Sequence, residues 1–288
     1  MKCCSMHTAN PGNFRIRIMK SLLSCWLLIC LCLLCSRSVA QTQVLIIQDE
    51  LPQMEVLADY LSRKGENTEI QIVGQDQLPG SMSAYDAVIV YIHRTLFEET
   101  ENRIIEYTKR GGRLILLHHS ISSGKAGNKK FFSFLGIRLD GADHPEDAEL
   151  PGAGYAWVEP VTLTIVNLNE RHYVTNHKIS WSETIEYRPS DLGSDRQSFP
   201  SISFQESEVY LNHKFTDGRE KTILLGLKYL DTRNNELFMQ DRAGWYKKAG
   251  KGEIFYFMPG HSAKDFQHAN YSQMILNAIQ FSDKNPNI

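Results

Sequence analysis

Gly111-Gly112-Arg113-Leu114-Ile115-Leu116-Leu117-His118-His119-Ser120 is the stretch whose reading decides the fold. Its four consecutive apolar residues, 114–117, read as a strand buried on both faces, which is the mark of a parallel sheet covered by helices. The double glycine ahead of it ends a helix. Residues 98–110 are rich in helix formers, acidic early and basic late (Lys109-Arg110), as the helix dipole favours. Upstream, residues 87–92, Thr68–Val73 and residues 44–47 read as three further strands. Between the outermost two, Met54, Leu57, Ala58 and Leu61 recur at i, i+3, i+4 and i+7, one stripe of a helix that Gly65 stops. Strands alternating with helices imply parallel pairing through right-handed crossovers.

Downstream the pattern changes. Over roughly residues 138–240, residues 161–166 alternate loosely and residues 222–227 read as a strand. Clusters of Pro, Gly, Ser and Asp lie between them. An insertion of antiparallel strands and long loops is expected here. The α/β pattern returns with a strand at residues 253–258. It closes on a helix whose Tyr271, Met274, Ile275 and Ala278 share one face.

The chain has 288 residues, 42% hydrophobic and 22% charged, an ordinary globular composition that excludes a disordered chain. A net charge of −2 speaks against a nucleic-acid-binding protein. The average hides an asymmetry. Residues 1–40 hold Lys2, Arg15, Arg17, Lys20 and Arg37 with no Asp or Glu, and all six cysteines lie there, Cys35 the last. Residues 22–34 form an apolar run, followed by the small-x-small site Ser38-Val39-Ala40. This is the pattern of a secretory signal peptide cut near Ala40, with export to the periplasm or beyond. The run is too short for a comfortable membrane span, which takes about 20 residues. An uncleaved anchor and lipidation at Cys35 are the alternatives. Residues 41–288 form the single domain that remains. It has no thiol, so its chemistry rests on His, Asp, Glu, Ser, Tyr or Lys.

In an open parallel sheet, ligands bind beyond the carboxyl ends of the strands. His118 and His119 end the strand at residues 114–117, and His261 follows the last strand by three residues. His93 ends another strand, and Asp49 and Glu50 end the first. Imidazoles collected on that one edge suit proton transfer near neutral pH. Imidazoles with a carboxylate also suit a divalent metal such as Zn, Mn or Fe, although no tight HExxH spacing is present. Gly124-Lys125-Ala126-Gly127 lacks the remaining spacing of a phosphate-binding loop.

The quoted stretch also resembles the "GGG-l-v-x-l-H-x-A" segment of ThuA-like (trehalose utilisation) proteins. Asp143-His144-Pro145 resembles that family's "F-x-x-H-P" segment, and His172-Tyr173-Val174-Thr175-Asn176 its "H-P-i-T-x-G". Trp245, Gly250-Lys251-Gly252-Glu253 and Gly260-His261 are similar to its closing "W…GkGRvfY…GH" block. The resemblance covers most of residues 43–283. This sequence has Tyr173 where the family has Pro and Glu253 where it has Arg. Ser182-Glu183-Thr184-Ile185-Glu186-Tyr187 stands in place of "D-E-x-Y", so Glu183 and Glu186 are both candidates for the family carboxylate.

The resemblance implies a flavodoxin-like, class I glutamine amidotransferase-like parallel sheet flanked by helices, with the inserted antiparallel strand and loop region. It also implies sugar catabolism and a small carbohydrate partner. The turn that carries the amidotransferase cysteine is His118-His119-Ser120 here, so amidotransferase chemistry is not expected. The expected function is carbohydrate processing of a disaccharide or keto-sugar by acid/base chemistry. His118, His119 and His261 are the candidate catalytic residues. His144, His172, Glu183, Glu186 and Trp245 are candidates for binding the sugar. A metal-dependent enzyme, with a divalent metal as cofactor, and a non-catalytic sugar-binding or scaffolding protein are the two alternatives.

Overall fold

The computed structural model describes Met1 and residues 41–141, 154–189 and 195–282. The expected leader, its cleavage site at Ala40, Cys35 and His144 lie outside the described residues.

The first half alternates as the apolar runs require. Strand β1 (Thr42–Gln48) leads into helix α1 (Leu51–Lys64), then β2 (Thr68–Val73) and β3 (Ala87–Tyr91). Helix α2 (Glu98–Lys109) follows, with Glu98, Glu99 and Glu101 in its first turn. Gly111, at φ +124°, breaks α2, and β4 (Arg113–Leu117) begins two residues later. Strands β1 to β4 pair in parallel. Residues 44–47, 87–91 and 114–117 are completely buried, as continuous apolar strands under helices must be. Each such Val, Leu or Ile contributes roughly 1.5–3 kcal/mol through burial.

Helix α3 (Lys129–Leu135) and a short β5 (Ile137–Arg138) lead into the middle segment. There the chain forms long strands: β6 (Ala156–Asn167), β7 (Glu183–Tyr187), β8 (Gln197–Leu211), β10 (Lys221–Asp231) and β11 (Glu236–Ala249). Helix α4 (Tyr173–Asn176) separates β6 from β7, and β9 (Lys214–Phe215) pairs with β5 in a small second sheet. The chain closes with β12 (Gly252–Phe257), α5 (Ala263–Gln267) and α6 (Ala269–Gln280). Tyr271, Met274, Ile275 and Ala278 face the core from α6, as their spacing predicts.

Ten strands form one continuous sheet in the order β2-β1-β3-β4-β12-β11-β10-β6-β8-β7. The run β2-β1-β3-β4-β12 is parallel and has the doubly wound order whose ligand crevice opens beside β1 and β3. From β11 onward every pairing is antiparallel. The antiparallel strands expected in the middle segment are present, and they extend the parallel sheet as long, continuous strands. Bulges in β6, β8, β10 and β11 break the period-2 pattern, and so these strands are poorly marked in the sequence. No helix among the described residues is long and apolar enough to cross a membrane.

Candidate active site at the carboxyl edge of the sheet

Strand β4 ends at Leu117, and His118 takes up φ +51° at the start of a tight turn over residues 118–121. A left-handed conformation is unfavourable for a residue with a Cβ, and such residues gather at functional turns. Two bonds hold the turn. Ser120 Oγ donates to Val90 O at 2.6 Å, and His118 Nδ1 meets Met258 O at 2.8 Å. Against a carbonyl the only role open to Nδ1 is donor. Gly260, at φ +132°, lets the next loop pass against His118, since a Cβ there would stand 2.9 Å from Phe266 and 3.2 Å from the His118 Cβ.

Glu208 reaches this turn from β8. Its Oε2 lies 2.9 Å from His118 Nε2, accepts the Tyr210 hydroxyl at 2.9 Å, and stands 3.3 Å from His261 Nδ1. His261 Nε2 in turn faces Glu159 of β6 at 3.1 Å. Asp265 fixes the loop that carries His261, its Oδ2 accepting from Gly260 N, His261 N and Ser207 Oγ. Burial raises the Glu208 pKa. The hydrogen bonds from His118, His261 and Tyr210 outweigh it and hold the carboxyl at about 2. The same carboxylate raises the pKa of His261 against the opposing effect of its partial burial. His118 is fully buried, whereas the His261 side chain is 31% exposed. Within this group His261 is therefore the imidazole that a substrate can reach.

A second constellation adjoins the first. The His118 and His119 rings are 5.0 Å apart, and His119 stacks on His93 at 4.8 Å with 10° between the planes. Glu50 bridges this pair: Oε2 lies 3.3 Å from His119 Nε2 and Oε1 lies 3.4 Å from His93 Nδ1. The bond with His119 is the main cause that lowers the Glu50 carboxyl to about 2. Burial lowers His119 to about 4. Lys125, fully buried, donates to His119 O at 2.8 Å and to His93 O at 3.0 Å, and burial lowers its ammonium to about 7.

Thus the structure brings His118, His119 and His261 together at one edge of the sheet. The other sequence candidates fall elsewhere. Glu183 and Glu186 project from the edge strand β7, where they accept from Ser203 and Ser198 respectively. Trp245 is fully buried between Phe215 and Tyr256, with no ring face open to a sugar. His172 caps α4, accepting from Val174 N, and stacks on Phe281. Phe281 O is bonded by Arg113, the first residue of β4, so His172 lies at the amino edge of the parallel strands, opposite the other imidazoles. Glu253 is at that amino edge too, paired with Arg113 at 3.0 Å, which makes it part of the scaffold.

The sequence reading missed Glu208, Glu159, Tyr210 and Asp265, and discarded Lys125. Glu208 and Tyr210 lie on a strand that the sequence pattern does not mark within the mixed strand-and-loop segment. Nothing in their spacing links them to a histidine 90 positions earlier.

The fold and this edge define a doubly wound α/β protein with a histidine–carboxylate centre. The chain belongs to the ThuA family, described as trehalose utilisation, which it matches over residues 41–282. That description places it with proteins of carbohydrate metabolism. Among solved structures it is similar to a ThuA-like protein from Bacteroides uniformis ATCC 8492, with 15% identity and a TM-score of 0.53, covering 88% of this chain and 97% of that one. That likeness concerns the fold. It also matches a β-galactosidase from Bacillus circulans sp. alkalophilus, with 12% identity and a TM-score of 0.48, over 83% of this chain and 30% of the enzyme. The carbohydrate deacetylase Agd3 matches at 12% identity and a TM-score of 0.46, over 81% of this chain and 32% of the deacetylase. No curated protein sequence matches the chain.

Proposed function

We propose that this protein is an exported carbohydrate-processing enzyme that acts on a disaccharide or keto-sugar by histidine-mediated acid/base chemistry. The observation that carries the proposal is the line from His118 through Glu208 to His261, with Glu159 at its open end. Glu208 accepts the hydrogen bond of His261 Nδ1–H, which orients the ring and assigns Nε2 to proton transfer. This is the role an aspartate plays toward the histidine of a hydrolytic triad. Glu159 is 40% exposed on its side chain, so Nε2 can exchange that contact for a sugar hydroxyl or a proton next to a carbonyl. His118 and Tyr210 hold Glu208 as an anion and need not touch the substrate. His119 and Glu50 line the adjoining part of the edge, where the sugar carbonyl would lie.

The finer fold reading belongs with this proposal. The parallel order β2-β1-β3-β4-β12 and the left-handed His118 at the β4 turn support a class I glutamine amidotransferase-like scaffold. On that reading a histidine occupies the position of the nucleophile. Export rests on the basic–apolar–small leader of residues 1–40.

The test is to incubate the protein with disaccharides carrying one oxidised, keto-bearing ring and to follow the sugar by NMR. Conversion or hydrogen exchange at the carbon beside the carbonyl supports the proposal. Saturable binding without conversion would make the protein a sugar-binding module instead.

A further inference from the structure

The acid/base reading leaves one chemical need unmet, a group that draws electrons from the sugar carbonyl. The constellation of Glu50, His93 and His119 has no part in the proton line. Its ligand-type atoms nevertheless lie within 4.8 Å of one another. Ligands at roughly 2.0–2.2 Å from a zinc-like ion stand about 3–3.5 Å apart. The two Glu50 oxygens already stand 3.3 and 3.4 Å from the two ring nitrogens.

The backbone around the group is braced. Asp49 accepts from His93 N at 2.7 Å and from Arg94 N at 2.9 Å. Lys125 ties together the carbonyls of the two histidines themselves. Burying an ammonium is costly, and here it fixes the spacing of His93 and His119. His119 Nδ1 is buried without a hydrogen-bond partner, and Nε2, which faces Glu50, is the nitrogen the ring offers to an ion. In contrast, the Glu208 oxygen of the neighbouring group is fully engaged by three donors. The exposure gradient is that of an open site: 5% for His119, 32% for Glu50 and 65% for His93. Glu50, His93 and His119 follow the carboxyl ends of β1, β3 and β4, beside the crevice in which this topology places its ligands.

We propose that Glu50, His93 and His119 form a two-histidine, one-carboxylate site for a divalent transition metal such as Zn²⁺ or Mn²⁺. Three protein ligands leave positions open, and a sugar carbonyl oxygen fits one of them. The metal then acts as a Lewis acid beside His261. The ion site stands on its own geometry, whereas its role toward the carbonyl rests on the function proposed above.

The experiment is calorimetric titration of the metal-stripped protein with Zn²⁺ and with Mn²⁺, with metal content measured after dialysis. The variants are Glu50→Gln, His93→Ala and His261→Ala. One ion per chain is expected. Changing an outer-shell partner weakens metal sites by about 10–100-fold, so Glu50→Gln and His93→Ala should each weaken binding by at least that much. His261→Ala should bind as the wild type does. Loss of the ion in His261→Ala, with retention in Glu50→Gln, would move it to the other group and overturn the assignment. Stoichiometric binding by none of the proteins would overturn it as well. Circular dichroism of each variant separates lost ligation from lost folding. Keto-sugar turnover by the metal-stripped enzyme would refute the Lewis-acid role and leave the acid/base reading standing. A bound ion without turnover would leave the ion site standing and overturn the acid/base reading, and the Lewis-acid role with it.

Discussion

His118 and Glu208, 90 positions apart in the chain, meet at 2.9 Å, and this contact joins the parallel half of the sheet to the antiparallel half. Glu208→Gln replaces the anion that His118, Tyr210 and His261 share with a neutral amide, a weaker acceptor that brings a competing donor. A buried group left without its partner costs about 1–3 kcal/mol, and we expect a loss of that size in urea unfolding. The raised pKa of His261 should fall back toward its ordinary value, which NMR titration of the ring reads directly.

His261→Ala should separate function from folding. The ring is one-third exposed, and the loop that holds it is anchored through the backbone to Asp265. The thermal midpoint should shift by only a few degrees, while conversion of a keto-sugar falls by about 100-fold or more, the range of a general acid/base beginning at about that value. A large drop in midpoint with unchanged turnover would make His261 structural.

Acidification should destabilise the metal-free protein well before its carboxylates titrate. Burial lowers His213 to about 3 and His119 to about 4. Between those values and about 6.5 the unfolded chain binds protons that the folded chain refuses, so stability falls as pH falls. His261 runs the other way. Its raised pKa gives stability that is present below about 6.5 and lost as pH rises through the folded value. Two buried imidazoles outweigh one that is one-third exposed, so the thermal midpoint should be lower at pH 5 than at pH 7.5. Neither ring nitrogen of His213 has a partner, and His213→Leu should flatten the slope without a large cost at neutral pH.

Lys125→Met should loosen the edge. It strips the donors from His93 O and His119 O, for about 1–3 kcal/mol. Amide hydrogen exchange should rise at the turn over residues 118–125 and leave β1 and β3 protected.

Export is tested by sequencing the amino terminus of protein from its native cell. A start at Gln41 is expected, and a mature chain that keeps residues 20–35 would contradict it.

The parallel half of the fold was legible because burial on both faces leaves unbroken apolar runs such as 87–91 and 114–117. The turn at which His118 and His119 end their strand follows from the same pattern. The antiparallel half was less legible. In β8, Glu206 and Ser207 interrupt the apolar alternation where Glu206 takes up φ +53°, so a 15-residue strand is not marked in the sequence. Glu208 was hidden with it. Motif resemblance was a poor guide to position for His172 and Trp245, since one lies at the opposite edge and the other inside the core. Lys125 was dismissed because its spacing fits no phosphate loop. Its role is visible only when two carbonyls from different loops converge on it.

The central claim is that His261, oriented by Glu208, moves protons on a keto-sugar. The most direct measurement follows the hydrogen on the carbon beside the carbonyl of a keto-disaccharide in D₂O by ¹H NMR, comparing wild type, His261→Ala and Glu208→Gln. The account predicts exchange or conversion catalysed by the wild type and nearly abolished in both variants, with all three proteins folded. Equal rates in the wild type and in folded His261→Ala would contradict it.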